Sequence, residues 1–354
     1  MGIIKQNAGL EIDLKKIKVS FQVLDDQQHI KIKGSRTFDN TMKGFEALEQ
    51  WLGQKRTSQL PVHLTLEATG VYGENVSYFF NDRSDFIIHI VLPNTSKAFF
   101  KSHNFKSKTD DIDARGLGMM GLERQLEVWK PASPQMRAIK KIVRQRIRLV
   151  RQRTIILNQM HAERASYEPS AQILKQSEKL LTFITKQIDQ FETQLTKLVH
   201  KDQQLDQRIN NVCTAKGIGF ITAISIVAEL NGFEHFENHA QLVSYAGYDI
   251  VKRESGSSVR GKTRISKKGN AYIRATLYMA ALTAAQHDPH HKAYYQRIVA
   301  KTGIKMKGNV AIQRKLLLLI YTLFKKNVPY NPNHPIEMQQ RLVKPQQSLL
   351  NPIA

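Results

Sequence analysis

Short stretches in the first third of the chain alternate between apolar and polar residues, the pattern of β-strands that bury one face. The turn at Lys15-Lys16 separates the first two stretches, and the last one is apolar enough to lie centrally in a sheet. Because short turns join the first three stretches, we expect them to form an antiparallel meander. The five predicted strands are residues 8–14, 17–24, 29–34, 62–67 and 86–92.

Helical spacing of apolar residues interrupts these strands. Residues 41–53 place Phe45, Leu48, Trp51 and Leu52 on one helical face, residues 73–81 suggest a second helix, and a third begins near Asp110. The resulting order, βββαβαβα, predicts an α/β domain with a mixed sheet. It is the order of the ribonuclease H fold, which RuvC-type nucleases also use.

Beyond Pro131 and Pro134 the pattern becomes helical and very basic. Between Arg137 and Arg153 there are eight Lys or Arg residues and no acid, while Ile139, Val143 and Ile147 maintain an apolar seam. Charge runs of this kind are usually solvated helix faces, but a run without any acid also suits contact with phosphates. The sequence leaves both interpretations open.

A second long helix after Pro169 carries an apolar stripe with steps of three and four residues. This repeat predicts coiled-coil packing, either as an antiparallel hairpin with the basic helix or between copies of the chain. Ser177 and Asp202 interrupt the stripe. Its members are Leu174, Leu181, Ile184, Ile188, Phe191, Leu195, Leu198, Leu205 and Ile209.

The last third combines a glycine turn, a basic loop and further helices. Lys216-Gly217-Ile218-Gly219 precedes an apolar helix over 220–230 and resembles the hairpin of helix–hairpin–helix DNA binders, although a plain tight turn is as common. Residues 252–274 hold eight Lys or Arg and one acid, and a helix is predicted over 271–286. We therefore expect domains at 1–132, 133–209 (a coiled-coil connector) and 210–328 (mainly α), with a loosely ordered tail at 329–354.

The charge balance points to a polyanionic partner. The 354 residues include 53 Lys and Arg against 30 Asp and Glu, a net charge of +23. No apolar run is long enough for a spanning helix, the start of the chain lacks the apolar core of a signal peptide, and Cys213 is the only cysteine. We therefore expect a cytoplasmic protein that binds nucleic acid and no membrane.

Four acids of the first domain are expected to meet. Thr109 is a good N-cap, so Asp110 and Asp113 share a helix face with Cβ atoms roughly 5–6 Å apart. Acids at a helix start also favour the helix dipole, which is the simpler interpretation of these two alone. Asp13 and Glu67, however, end neighbouring strands of the expected sheet. Four converging carboxylates require a cation, and oxygen ligands suit Mg²⁺ or Mn²⁺.

The chain resembles the DEDD-type transposases of bacterial insertion sequences, which are bridge-RNA-guided recombinases related to the pilin-gene invertases. The resemblance covers roughly residues 8–290. It rests on two sets of motifs in the right order: Asp13, Glu67-Ala68-Thr69-Gly70-Val71-Tyr72 and Lys108-Thr109-Asp110-Asp111-Ile112-Asp113-Ala114 in the first, and Gly217-Ile218-Gly219, Tyr245-Ala246-Gly247, Ser255-Gly256, Ile265-Ser266-Lys267-Lys268-Gly269-Asn270, Arg274 and Leu277 in the second.

The resemblance implies a RuvC-like catalytic domain and a serine nucleophile. Ser255, ten residues before Ile265, would form a phosphoserine link to DNA, with Ser257 and Ser258 as neighbouring alternatives. Asp13, Glu67, Asp110 and Asp113 would hold Mg²⁺. It further implies a structured guide RNA that pairs with donor and target DNA, and dimers that assemble into tetramers whose active sites combine two protomers.

Nucleic-acid contacts are predicted at the basic helix, the glycine turn and the basic loop. Two other functions stay open: a RuvC-like structure-selective nuclease that uses metal-activated water, and a non-catalytic nucleic-acid-binding protein. The predicted contact residues are Arg137, Lys140, Lys141, Arg144, Arg148, Arg151, Gly217, Gly219, Lys252, Arg253, Arg260, Lys262, Lys267, Lys268 and Arg274.

Overall fold

The chain divides into two compact units, which meet in sequence between Pro131 and Ala132, close to the predicted boundary. Each unit has a hydrophobic core of its own. The computed structural model describes residues 2–68, 70–251, 254–255, 259–261 and 263–333, and only the backbone course at 254–255 and 259–260.

The first unit is built on a five-stranded mixed sheet. Its strands are β1 (Ile3–Ile12), β2 (Lys16–Asp25), β3 (Ile30–Asp39), β4 (Val62–Glu67) and β5 (Phe86–Val91), in the order β3-β2-β1-β4-β5. The first three strands form an antiparallel meander, as predicted, whereas β4 is parallel to both β1 and β5. This topology confirms the predicted ribonuclease H type of fold.

Four helices accompany the sheet, one more than the sequence predicted. They are α1 (Met42–Lys55), α2 (Glu74–Asn81), α3 (Pro93–Ser102) and α4 (Asp110–Glu123). The additional helix is α3, which mixes polar residues with two adjacent phenylalanines and so lacks a clear apolar stripe. Pro93 at its first position fixes a helical φ and starts the helix without a side-chain cap.

Helix α4 lies directly on the strand backbones. The side chains of α1 and α2 pack on the β1 face that contains Leu10, and α4 covers the opposite face. A Cβ on Gly9 of β1 would overlap the carbonyl oxygen of Ala114, and one on Gly118 would overlap the side chain of Gln22. Because these positions are glycines, the first turn of α4 sits close to the ends of β1 and β4.

The second unit is mainly helical, as predicted. Its helices are α5 (Pro134–Arg164), α6 (Ala171–His200), α7 (Gln203–Cys213), α8 (Phe220–Glu229), α9 (His239–Ala246), α10 (Ala271–His287), α11 (Pro289–Thr302) and α12 (Lys305–Lys326). The described residues between α9 and α10 include the two-residue strands β6 (Ile250–Val251), β7 (Glu254–Ser255), β8 (Val259–Arg260) and β9 (Arg264–Ile265). One core joins residues of α5 and α6 to those of α7–α10 and α12.

The basic helix and the striped helix form an antiparallel hairpin within the chain. Gln135 near the start of α5 reaches the carbonyl of Leu198 near the end of α6, and Arg164 at the end of α5 pairs with Glu178. The apolar seam includes Ile156, Met160, Ile184 and Ile188. Of the two predicted modes of coiled-coil packing, the hairpin is therefore present.

The apolar stripe does not belong to one continuous helix. It crosses a break between α6 and α7, where Asp202 caps α7 by accepting hydrogen bonds from the backbone N–H groups of Gln204 and Leu205, both at 3.1 Å. The spacing of Leu198 and Leu205 fits an unbroken helix, so the stripe alone does not reveal the break. No helix of the described residues has the length and apolar character needed to cross a bilayer.

Candidate active site

The first turn of α4 presents Asp110 and Asp113 at the edge of the sheet. The hydroxyl of Thr109 caps the helix by accepting a hydrogen bond from the N–H of Ile112 at 3.3 Å, as predicted. Asp111 points elsewhere, toward β2 and β3, and contacts Lys18 Nζ and Ser35 Oγ at 3.0 Å each. These hydrogen bonds hold the pKa of Asp111 below its usual range. Asp111 therefore links the first turn of α4 to β2 and β3.

Glu67 ends β4 beside the end of β1. The parallel register pairs Leu10 with Leu66, which places the next residues, Glu11 and Glu67, side by side on the adjoining strands. Ser96 of α3 donates a hydrogen bond of 2.7 Å to Glu67 Oε2. The helix that the sequence did not predict therefore orients one of the predicted site residues.

Glu11 is the acid that the sequence analysis missed. It lies on the same face of β1 as Gly9, which is the face covered by α4. Burial raises the pKa of Glu11 to about 7, with further contributions from the negative charges of Asp113, Glu67 and Asp110. Burial also raises the pKa of Asp113, and the charges of Glu67 and Asp110 add to this. Glu11, Glu67, Asp110 and Asp113 thus form one electrostatically coupled group, the acidic cluster.

Asp13 takes a different position. It follows β1 in the turn to β2, where its N–H donates to the carbonyl of Lys16 at 2.9 Å and its own carbonyl accepts from Asn40 Nδ2 at 2.9 Å. In the described part of the chain, the acids that raise the pKa of Glu11 are Asp113, Glu67 and Asp110, and Asp13 is not among them. Its predicted role as a metal ligand stays a prediction, and Glu11 is the alternative that the geometry offers.

The chemistry of the acidic cluster suits a divalent cation. Burial raises the pKa values of Glu11 and Asp113, and repulsion from the neighbouring carboxylates adds to both shifts. All of the donors are hard oxygens, the ligands that Mg²⁺ and Mn²⁺ prefer. Within the residues that the structure describes, no three His, Cys, Asp or Glu side chains converge closely enough to hold an ion.

The predicted nucleophile lies in the second unit. The backbone of Ser255 belongs to β7, which pairs with β8 so that Ser255 lies opposite Val259. The strands β6 and β9 form a second antiparallel pair, with Ile250 opposite Ile265. Residues 250–265, which contain both strand pairs, are called the hairpin of Ser255. The alternatives Ser257 and Ser258, and the predicted contact residues Lys252, Arg253 and Lys262, lie outside the described residues, and the side chain of Arg260 is not described either.

The motifs around this hairpin fix the connection between α9 and α10. Gly247 ends α9 with a φ of +72°, and its carbonyl accepts the N–H of Lys267 at 3.1 Å. A Cβ on Gly269 would overlap the carbonyl oxygen of Tyr245, so only glycine permits this approach of the two segments. Arg274 donates to the carbonyl of Ala246 at 2.7 Å. Arg274, a predicted DNA contact, therefore also stabilises the end of α9.

Several other predicted contact residues are engaged within the protein. Lys140 and Arg144 of α5 approach the carboxylate of Glu229 at 3.8 and 2.7 Å. Gly217 has a φ of +92° and packs against the backbone of α10, whereas Gly219 caps α8 and is exposed. Lys141, Arg148, Arg151, Lys267 and Lys268 are exposed as well. The predicted contact residues therefore fall into two groups: Lys140 and Arg144 pair with the buried carboxylate of Glu229, and the exposed residues face solvent.

Comparisons with known proteins identify transposase domains in two parts of the chain. A family model of DEDD transposases of the IS110 type, described as "Transposase", matches residues 10–163, and one described as "Transposase IS116/IS110/IS902 family" matches residues 209–296. The pilin gene-inverting protein of Moraxella bovis is 26% identical over 297 residues, which cover 83% of this chain and 90% of that protein. The transposase for insertion sequence element IS1111A of Coxiella burnetii is 21% identical over 270 residues, covering 68% of this chain and 72% of that protein.

Among solved structures, the fowlpox virus resolvase in complex with Holliday junction DNA aligns at 18% identity with a TM-score of 0.25, covering 33% of this chain and 97% of that chain.

The first family model spans the strands and helix that bring the acids together, and the second spans the hairpin of Ser255 and the motifs around it. The chain therefore carries two transposase domains of the IS110/IS116 family, in this order.

Proposed function

We propose that this chain is the transposase of an insertion sequence and catalyses site-specific cleavage and exchange of DNA strands. The observation that carries the proposal is the acidic cluster on β1, β4 and α4, in a chain that also contains the serine-bearing second domain of the family. The cluster would hold Mg²⁺ or Mn²⁺. When bound, this cation would neutralise charge that develops on the phosphate and lower the pKa of the attacking hydroxyl.

Ser255 is the proposed nucleophile. Its hydroxyl gives up its proton, its oxygen bonds to phosphorus, and one bridging P–O bond of the DNA breaks as the departing oxygen takes up a proton. The DNA strand is then held as a phosphoserine ester. Attack by the hydroxyl of another DNA end reverses these steps and joins the strands without any external energy source, which a recombinase requires and a hydrolytic nuclease does not.

The other partners follow from charge and surface. A net charge of +23 suits a protein that holds donor DNA, target DNA and a structured guide RNA through their phosphates. Exposed Ile173, Leu180 and Phe183 on α6, together with Ile155 and Leu157 on α5, support self-association into the dimers and tetramers of the proposal. The setting is the bacterial cytoplasm.

A RuvC-like nuclease that hydrolyses DNA with metal-activated water is the second candidate. The observation in its favour is that all four residues of the acidic cluster come from the first unit, so this cluster does not need Ser255 in order to form. The two functions differ in one product, since only the transposase forms a covalent link between protein and DNA.

A trapping experiment tests the choice. The purified protein, its co-purifying RNA and a labelled DNA duplex are incubated with Mg²⁺, denatured and separated by size. We expect a protein–DNA adduct that requires Mg²⁺, disappears in Ser255→Ala and persists in Ser257→Ala and Ser258→Ala. Cleavage that survives Ser255→Ala without any adduct would establish the nuclease instead. Sequencing of the co-purifying RNA tests the guide, which should be one defined species with loops that match the ends of the element and its target.

A further inference from the structure

Glu229 is a buried carboxylate that the proposed chemistry does not use. It is the last residue of α8, and its side chain is 1% exposed. Arg144 of α5 donates two hydrogen bonds to this carboxylate, from Nε to Oε1 at 2.7 Å and from Nη2 to Oε2 at 3.0 Å. Burial alone would raise the pKa of Glu229, but the hydrogen bond from Arg144 and the charge of Lys140 leave this pKa below its usual range. Glu229 is therefore a fixed negative charge facing the basic helix.

The same carboxylate holds the end of the serine-bearing hairpin. Asn270 Nδ2 donates to Glu229 Oε2 at 2.9 Å, while Asn270 Oδ1 caps α10 by accepting the N–H of Tyr272 at 2.9 Å. The N–H of Asn270 donates to the carbonyl of Tyr245 at 2.8 Å. The side chain of Asn270 thus joins the carboxylate to the start of α10, and its backbone N–H binds the segment that leads into the hairpin.

Backbone hydrogen bonds continue from Asn270 toward the strands of the hairpin. The N–H of Lys267 donates to the carbonyl of Gly247 at 3.1 Å, and that of Ser266 donates to the carbonyl of Asp249 at 2.7 Å. Next comes the pairing of β9 with β6, and β7, which contains Ser255, begins three residues after β6 in the sequence. A continuous series of hydrogen bonds therefore runs from Arg144 through Glu229 and Asn270 to the base of the hairpin.

A purely stabilising role accounts poorly for this arrangement. A buried ion pair is often no more stabilising than well-packed apolar side chains of the same volume. A second pair on the same helix, Arg146 with Glu192, joins α5 to α6 at 2.6 Å, and the side chain of Glu192 is 36% exposed. That pair has no described contact with the hairpin. What distinguishes Glu229 is its position between the basic helix and the connection from α9 to α10.

We propose that Glu229 is a positioning residue that couples the basic helix α5 to the hairpin of Ser255, so that DNA held on α5 meets the serine in a fixed register. This inference rests on the proposed function, in which Ser255 is the nucleophile, and on the predicted contacts of the DNA backbone with Lys141, Arg148 and Arg151, which are exposed on α5. A small displacement of a nucleophile from the line of attack slows a reaction far more than it weakens binding.

The test compares Glu229→Gln with Glu192→Gln in the full-length protein. In single-turnover reactions at saturating DNA, Glu229→Gln should slow adduct formation by about tenfold to a hundredfold, and its Kd for the duplex should stay within about threefold of wild type because phosphate contacts set the affinity. Glu192→Gln, which removes the carboxylate partner of another arginine of α5, should leave both quantities near the wild-type values.

Asn270→Ser separates positioning from stability. Serine still caps α10 but cannot reach Glu229, so the melting temperature should change little while adduct formation slows as in Glu229→Gln. Hydrogen exchange at the amides of Ser266, Lys267 and Asn270 should become faster in both variants and not in Glu192→Gln. Because the exchange rate does not depend on catalysis, it measures the coupling between Glu229 and the hairpin even if the protein is a nuclease. Unchanged exchange, or wild-type adduct formation in Asn270→Ser, would overturn the positioning role.

Discussion

At the scale of single residues, the identity of the acid on β1 decides how the metal site is composed. Glu11 and Asp13 are two positions apart in an alternating stretch, so the sequence pattern places both on the same face of the strand. The sequence predicts Asp13 as the metal ligand, because it places this residue at the end of the strand. The strand ends one residue earlier, and the coupled charge is that of Glu11.

Glu11→Gln and Asp13→Asn form a matched pair for this question. We expect Glu11→Gln to weaken Mn²⁺ binding by about tenfold or more, since it removes one carboxylate ligand, and Asp13→Asn to change this affinity little. Titration of Mn²⁺ by electron paramagnetic resonance measures both. Weakened binding in Asp13→Asn alone would return the ligand role to Asp13.

The same glutamate predicts a pH effect on the metal-free protein. Its pKa of about 7 in the folded state lies above the ordinary value of 4.5, so ionisation of Glu11 costs folding stability as the pH rises through this range. Glu11→Gln should therefore raise the melting temperature at pH 8 and have a smaller effect at pH 5. Thermal unfolding in a chelator at both pH values measures the difference. An equal shift at both pH values would contradict the raised pKa.

Half-buried His63 and buried His89 form a hydrogen-bonded pair whose effect on stability has the opposite pH dependence to that of Glu11. His89 Nδ1 lies 2.8 Å from the carbonyl of Glu127, which can only accept, so His89 Nε2 must accept from His63 Nδ1 at 2.8 Å. Burial lowers the pKa of His63 to about 4, with smaller contributions from His89 and Lys5. The unfolded chain binds this proton near pH 6.5 and the folded chain does not, so stability is lost as the pH falls from 6.5 toward 4.

His63→Asn should reduce this loss, because asparagine can still donate a hydrogen bond to His89 but takes up no proton. The prediction is a smaller drop in melting temperature between pH 7 and pH 4.5 than in the wild type. Replacement of the exposed His290 by asparagine serves as the control. Identical pH profiles for His63→Asn and the wild type would show that this pair does not carry the acid sensitivity.

At the scale of elements, glycines position α4 and hence Asp110 and Asp113. A side chain at Gly9 would meet the backbone of α4 at Ala114 and Gly118, which cannot rotate away. Gly9→Ala should therefore cost about 3 kcal/mol or more of unfolding free energy, at the upper end of overpacking effects. Gly53 in α1 has no described atom within 4 Å of such a Cβ, so Gly53→Ala should gain about 0.5–1 kcal/mol from helix propensity. Urea unfolding compares the two, and equal effects would refute the close approach of α4.

Elements also show what the sequence could and could not predict. Alternation and short turns predicted the meander, and the Thr109 cap predicted the start of α4, because these features depend on neighbours along the chain. The break at Asp202 and the helix α3 escaped prediction, since the first continues the apolar spacing and the second lacks a stripe. The pairing of Arg144 with Glu229 joins residues 85 positions apart, and no local pattern predicts it.

At the scale of the whole molecule, the acids and the serine belong to different units. The acidic cluster lies before Pro131 and Ser255 lies after it. If each active site combines the acids of one protomer with the serine of another, as the sequence resemblance implies, then two inactive variants can restore one another. A protomer with Asp110→Asn still offers its serine, and a protomer with Ser255→Ala still offers its acids.

Mixing these two variants therefore tests the composite site. Each alone should form no protein–DNA adduct, and an equal mixture should recover a substantial fraction of the wild-type yield, with the DNA attached only to the Asp110→Asn chain because that chain has the serine. A size tag on one chain identifies which one is attached. A double variant carrying both changes should form no adduct when mixed with either single variant, because each mixture lacks either the intact acids or the serine. If the mixture stays inactive while the wild type forms adduct, each active site must draw its acids and its serine from the same chain.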